Sequence, residues 1–240
     1  MKKLIILSLL IAGQVAAWGQ TLNIYMKDGR VIQYDASGVD YLNFTAGSVA
    51  PVEHEAVDLG LPSGLKWATC NIGATKPEET GYFFSWGEVE VKEEYGGNNY
   101  KWRNSNGSMT KYSINEKSVL EPEDDAAHVL WGESWRIPGK LDVRELINNC
   151  KRTAVTQNGV DGYLFTGPNG NSIFFPICGF MNGTNISSPT RGYYWTRNVD
   201  SARASRAEVF NLHDNAIQSE LQVLERWYGV NIRPVADAGK

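Results

Sequence analysis

Residues 124–150 read DDAAHVLWGESWRIPGKLDVRELINNC, two short helical patterns on either side of a Trp-Arg-Ile-Pro corner. The first, Asp124 to Leu130, opens with carboxylates and Ala-Ala, which places negative charge at the positive end of a helix. Gly132 stops it, because glycine readily takes the left-handed conformation that ends helices. Pro138 presets φ where the second pattern begins. There Leu141, Arg144 or Glu145, and Leu146 to Ile147 recur at spacings of three and four, which predicts an amphipathic helix with one apolar stripe.

Outward from this corner, the first 17 residues carry Lys2 and Lys3, an apolar run from Leu4 to Ala12, and Val15-Ala16-Ala17. This is the pattern of a secretory signal peptide cut after Ala17, with Gly19 as the second choice, and the run is too short to anchor in a bilayer. Cleavage would remove two lysines and make the net charge of −4 more negative by two. That balance argues against a nucleic-acid binder, which carries a basic stripe. Hydrophobic residues make up 42% of the chain, with eight tryptophans, enough for a sizeable core. Three cysteines leave at least one thiol unpaired in a monomer. Cys70 and Cys150 could bridge in an oxidising compartment; the apolar surroundings of each favour a buried thiol instead, and the pairing of Cys70, Cys150 and Cys178 stays open.

The chain reads as a small β module followed by a larger domain. Leu22–Met26 and Val31–Tyr34 flank Lys27-Asp28-Gly29-Arg30, a hairpin signal, and Val39–Phe44 alternates as a third strand. Together they resemble short N-terminal modules of exported Bacteroidetes proteins. Residues 18–50 hold this module and the start of a linker, and 56–236 the main domain. Within that domain Leu65–Ile72 and Gly81–Glu88 are strand candidates, and Leu61-Pro62-Ser63-Gly64 is a turn. Glu93–Lys117 is polar, with little hydrophobic period, and reads as a long surface loop. Val160–Thr166 and Ser172–Pro176 form a hairpin, and Gly192–Trp195, Ala207–Leu212 and Trp227–Val235 supply further strands. Helices set among short strands and long loops make the fold class α+β.

Seven ordered runs carry a family resemblance: VDLGLPSGLKWATCNIGA (57–74), GYFFSWGE (81–88), EDDAAHVLWGESWRIP (123–138), ELINNC (145–150), GPNGNSIFFP (167–176), GYYW (192–195) and YGVNIRPV (228–235). Together they resemble the Fibrobacter succinogenes major paralogous domain, over about 57–235. That family is similar in fold to the C-type-lectin-like domain shared by formylglycine-generating enzymes and the variable proteins of diversity-generating retroelements. The resemblance therefore implies a C-type-lectin-like domain with two short helices, several short strands and long loops. Gly139 stands where those enzymes carry a capping Thr, which weakens the cap by about a few tenths of a kcal/mol. The enzymes depend on cysteines late in the domain; here Cys178 is the last, and none lies between GYYW and IRPV. The resemblance thus implies the scaffold without the oxidase chemistry.

Other chemistry finds little support. Glu121, Glu123, Asp124 and Asp125 cluster as calcium ligands do, yet such sites normally need more widely spaced ligands, and a solvated helix start is favoured: no cofactor is expected. His54, His128 and His213 lack a partner defined by sequence, with no G-x-S-x-G elbow or His-Glu-x-x-His, and nucleotide-binding motifs are missing. Trp67, Trp86, Trp131, Trp135 and Trp195 fall inside the family runs and read as core. The segment Thr196–Trp227 is less patterned. In the retroelement variable proteins the corresponding stretch forms the ligand surface, so the resemblance implies binding through Arg197, Asn198, Arg203, Arg206, Asn211, His213, Arg226 and Trp227; a plain solvated loop is the other reading. The expectation is an exported, non-catalytic binding or adhesion protein of the bacterial cell envelope, with a glycan or protein ligand at the cell surface. The alternatives are a structural subunit of a surface assembly, or an enzyme with formylglycine-generating-like fold and altered chemistry.

Overall fold

The computed structural model describes residues 21–25, 31–35, 54–213 and 221–237. The signal-peptide run, the Asp-Gly turn and the proposed third strand at Val39–Phe44 lie outside the described residues. The chain divides into two compact units, one within the first 49 residues and one from Ala50 onward. In the first, β1 (Thr21–Tyr25) pairs antiparallel with β2 (Val31–Asp35), with Thr21 opposite Asp35 and Tyr25 opposite Val31. The expected hairpin strands are therefore present.

The second unit is α+β. Its first sheet gathers the two ends of the domain: β3 (Ala56–Asp58), β4 (Lys66–Ala68), β14 (Val235–Ala236) and β5 (Trp135–Arg136) stand in the order β3-β4-β14-β5. A 3₁₀ turn at Pro122–Asp124 leads into α1 (Ala126–Trp131), which ends at Gly132 with φ 102°. Beyond β5 comes α2 (Lys140–Asn149). The helix-corner-helix reading of 124–150 thus holds, with one correction. Val143 and Leu146 are the buried residues of α2, while Leu141 is 69% exposed. Leu141 sits in the first turn of the helix, one residue after Lys140, whose ammonium reaches Glu208.

Three antiparallel strands follow, β6 (Lys151–Gln157), β7 (Val160–Thr166) and β8 (Ser172–Pro176), with β7 central. The β7–β8 hairpin matches expectation. The preceding strand β6 carries no apolar alternation, because it is an edge strand held by its ladder to β7 and exposed along much of its length. A short hairpin, β9 (Phe180–Asn182) with β10 (Asn185–Ser187), leads to β11 (Gly192–Val199), β12 (Arg206–Leu212) and β13 (Leu221–Glu225), which form an antiparallel sheet.

This last sheet stands between two apolar clusters, and strand alternation sorts its residues between them. Tyr193, Trp195, Ala207 and Val209 face the cluster that holds Trp86, Tyr112 and Ile137. Tyr194, Phe210 and Leu212 face the one that holds Trp67, Phe175 and Leu146. Phe175 lies at the centre of the second, edge-on to Tyr194 at 5.1 Å and to Phe210 at 5.7 Å. Fully burying one such side chain contributes about 1.5–3 kcal/mol.

Two expected strands are largely irregular. Gly81–Glu88 makes only an isolated bridge, Phe84 to Val230, and Leu65–Ile72 contracts to Lys66–Ala68. In both, the backbone bonds to separate parts of the chain in turn: Tyr82 N donates to Ile72 O, Phe84 N to Val230 O and Trp86 N to Arg226 O. Glu93–Lys117 holds no named helix or strand, but it is more than a surface loop. Tyr95, Tyr100 and Tyr112 are buried, and their hydroxyls donate to Phe83 O (2.5 Å), Trp86 O (2.6 Å) and Asp124 Oδ2 (2.5 Å). Irregularly spaced anchors of this kind have no period to detect. All three cysteines are free thiols.

Candidate functional site

The eight residues expected to bind a ligand do not share a surface. Arg226 and Asn211 are fully buried, which removes both from any ligand surface. Arg226 Nε donates to Tyr100 Oη at 2.8 Å, and its guanidinium donates to the carbonyls of Lys111 (3.0 Å), Tyr112 (3.3 Å) and Ala204 (2.9 Å). It also lies 4.7 Å from the Trp86 ring centroid. Its charge is spread over carbonyl dipoles and aromatic faces, and burial pulls its pKa below the usual value. Asn211 lies inside β12, opposite Tyr193 of β11.

Arg197 and Asn198 serve the scaffold. Arg197 Nη2 donates to Leu120 O at 3.0 Å, and Asn198 Oδ1 accepts from Lys140 N at 2.9 Å, satisfying a free N–H in the first turn of α2. Arg206 pairs with Glu225 across β12 and β13, Nε to Oε1 2.7 Å. His213 is half-buried at the end of β12, and Arg203 is exposed. The described residues of the segment are therefore mostly sheet, because Leu221–Glu225 adds a third strand alongside β12.

The acidic run is solvated only in part: Asp124 and Asp125 are buried, whereas Glu123 is exposed. Asp125 caps α1, accepting from Ala127 N (3.0 Å) and His128 N (3.3 Å), and it also accepts from Ile137 N at 2.9 Å across the corner. Burial raises its pKa despite these bonds. Carboxylate oxygens of Glu121, Glu123 and Asp124 lie within 4.8 Å of one another, a grouping that could hold a metal ion. The Lys111 ammonium stands among them, 2.6 Å from Glu121 Oε2, 2.6 Å from Asp124 Oδ2 and 3.5 Å from Glu123 Oε1. A cation is thus already supplied by the chain. Lys117 also pairs with Glu121, and the two lysines hold the Glu121 carboxyl down to about 2. For Asp124 burial works the other way, but hydrogen bonds from Lys111, Tyr112 and Lys101 bring the net shift downward.

Among the predicted residues, Trp227 lines a hollow. It is half-buried, and with the loop Glu94–Asn99 and Arg103 it bounds a groove of about 370 Å³. The Arg103 guanidinium sits 5.4 Å from the Trp227 ring centroid and donates to Gly97 O at 3.2 Å. A Cβ at Gly97 would come 3.0 Å from Arg103 Nη1, so glycine permits this close approach. The loop is tied internally: Asn99 Nδ2 donates to Glu94 O (2.7 Å), Gly96 N to Asn99 Oδ1 (3.2 Å) and Lys92 Nζ to Asn99 O (2.9 Å). The side chains of Glu94 and Asn98 are exposed at its rim. Glu94, Asn98 and Arg103 lay inside the stretch read as surface loop; the Gly-Gly-Asn-Asn cluster was the available signal, but nothing in it pointed to a tryptophan 130 residues later.

A larger hollow of about 740 Å³ runs along the β6–β7 hairpin. It offers one carboxylate, Asp161, whose Oδ1 already accepts from Thr156 Oγ1 at 2.5 Å. Burial raises the pKa of Cys70, Cys178 and Cys150, the last to about 11, which keeps all three thiols protonated at neutral pH. No family model matches the chain, and no curated protein or solved structure matches it either.

Proposed function

We propose that this chain is an exported, non-catalytic binding protein of the bacterial envelope, in which a C-type-lectin-like domain presents a ligand groove. The observation that carries the reading is the Trp227 groove, a half-exposed indole walled by a glycine- and asparagine-rich loop on a packed core. Recognition sites are commonly concave, with an aromatic wall and a few placed polar groups. The seven ordered sequence runs support the lectin-like scaffold, and the N-terminal apolar run supports export. The protonated thiols support a role without cysteine chemistry. Lys111, seated among the acidic side chains, supports binding that needs no calcium. Among the described residues no helix is long and apolar enough to cross a membrane.

The test is an array of glycans and envelope proteins probed with the full chain, with calcium and with a chelator. Saturable binding that is equal in the two conditions is expected. Failure to bind any member of the array would overturn the reading.

A further inference from the structure

We infer that the groove between Trp227 and the Glu94–Asn99 loop takes the ring of an uncharged sugar in preference to an acidic one, an inference that rests on the binding function proposed above. Four features of the groove lead there.

The first is a stacking wall. An indole that is half-buried keeps an apolar surface in contact with water, and the C–H face of a pyranose covers such a surface without leaving polar groups unpaired. The second is preorganisation. Ser85 Oγ donates to Trp227 O at 3.2 Å, and the preceding residue, Arg226, is clamped by its four hydrogen bonds. The backbone that carries the ring is therefore fixed before a ligand arrives, and the ring itself rests against Arg103 at 5.4 Å and Tyr228 at 6.3 Å, which lowers the ordering cost of binding.

The third is room with polar edges. A Cβ at Gly96 would meet nothing within 4 Å, so the loop leaves open space at that point of the wall. The exposed Glu94 carboxylate accepts hydrogen bonds, and the exposed Asn98 amide both donates and accepts. Sugar hydroxyls, which do both, match that pair. The fourth is charge. Arg103 and Glu94 are of opposite charge and leave the groove with no net charge to draw an anion, and the guanidinium is already turned to the Trp227 ring and Gly97 O. Acidic sugars are disfavoured on that account.

The experiment records the indole N–H resonances of the full chain by NMR during titration with methyl glycosides of mannose, galactose, glucose and N-acetylglucosamine, and with the methyl glycoside of N-acetylneuraminic acid. At least one neutral probe is expected to shift the Trp227 indole and the Gly97 amide. Trp227→Ala should weaken that binding by about tenfold or more, as loss of a central aromatic contact does. Asn98→Ala, on an exposed side chain with no part in the core, should weaken it by about threefold, the loss of one hydrogen bond. It carries the test should Trp227→Ala fail to fold. Glu94→Gln should narrow the preference for neutral over acidic probe. The inference is overturned if no neutral probe shifts these resonances, if the acidic probe binds more tightly than every neutral one, or if the variants bind as the unaltered chain does. Array binding that survives Trp227→Ala would overturn the groove and leave the binding function standing. A chain that binds nothing on the array would bring down both.

Discussion

The Asp125 carboxylate accepts from three backbone N–H groups, two at the start of α1 and one at Ile137 beyond the corner. Asp125→Ala leaves those donors buried and unpaired, and should lower the unfolding free energy by about 2–4 kcal/mol in urea titration. Asp125→Asn keeps an acceptor and should cost about 1 kcal/mol. Arg226 and Arg203 form the sharpest contrast among the arginines. Arg226→Ala removes a fully buried side chain with four hydrogen bonds and should cost about 3 kcal/mol or more. Arg203→Ala, on an exposed residue, should stay within about 0.5 kcal/mol. Both are arginines in the same polar stretch of sequence. Nothing local separates them, because what buries Arg226 is a set of carbonyls and rings from positions 86–112 and 204.

Between elements, the Lys111 ammonium fastens the irregular loop to the 3₁₀ turn ahead of α1. Glu121 titrates at about 2 in the folded chain against 4.5 ordinarily, and Asp124 is shifted in the same direction. The folded state therefore binds fewer protons than the unfolded one in that window, so stability rises with pH there and is lost on acidification from pH 4.5 toward about 2. Asp125, with its raised pKa, contributes the opposite sign and offsets part of this slope. Lys111→Ala should make the acid dependence shallower and, at neutral pH, cost about 2 kcal/mol through the lost bonds to buried Asp124; chemical denaturation across a pH series measures both. Some regular elements were readable: the alanine-rich start of α1, its glycine stop, and the β7–β8 turn each follow from neighbouring residues. The loop 93–117 was not, since its tyrosines are spaced by distant partners and by no repeat of its own.

Across the main domain, β14 lies between β4 and β5 and so joins the two ends of the domain in one sheet. Val235, fully buried opposite Trp67 and Arg136, belongs to the cluster around Phe175. Ending the chain at Pro234 should abolish cooperative thermal unfolding, seen by circular dichroism, because two strands lose their shared neighbour and the core loses its cover. Composition, turn residues and hydrophobic spacing were enough to specify an α+β domain, its two helices and the hairpins at Leu22–Tyr34 and Val160–Pro176, since each depends on residues within a few positions of one another. Burial of polar groups and the makeup of the groove depend on contacts across more than 100 positions. Trp227 meets Arg103 and Gly97, and Arg226 meets Tyr100, only when the chain has closed on itself. The physical reason is that solvent exposure and electrostatic partners are properties of packed neighbours, and the linear order of residues does not contain them.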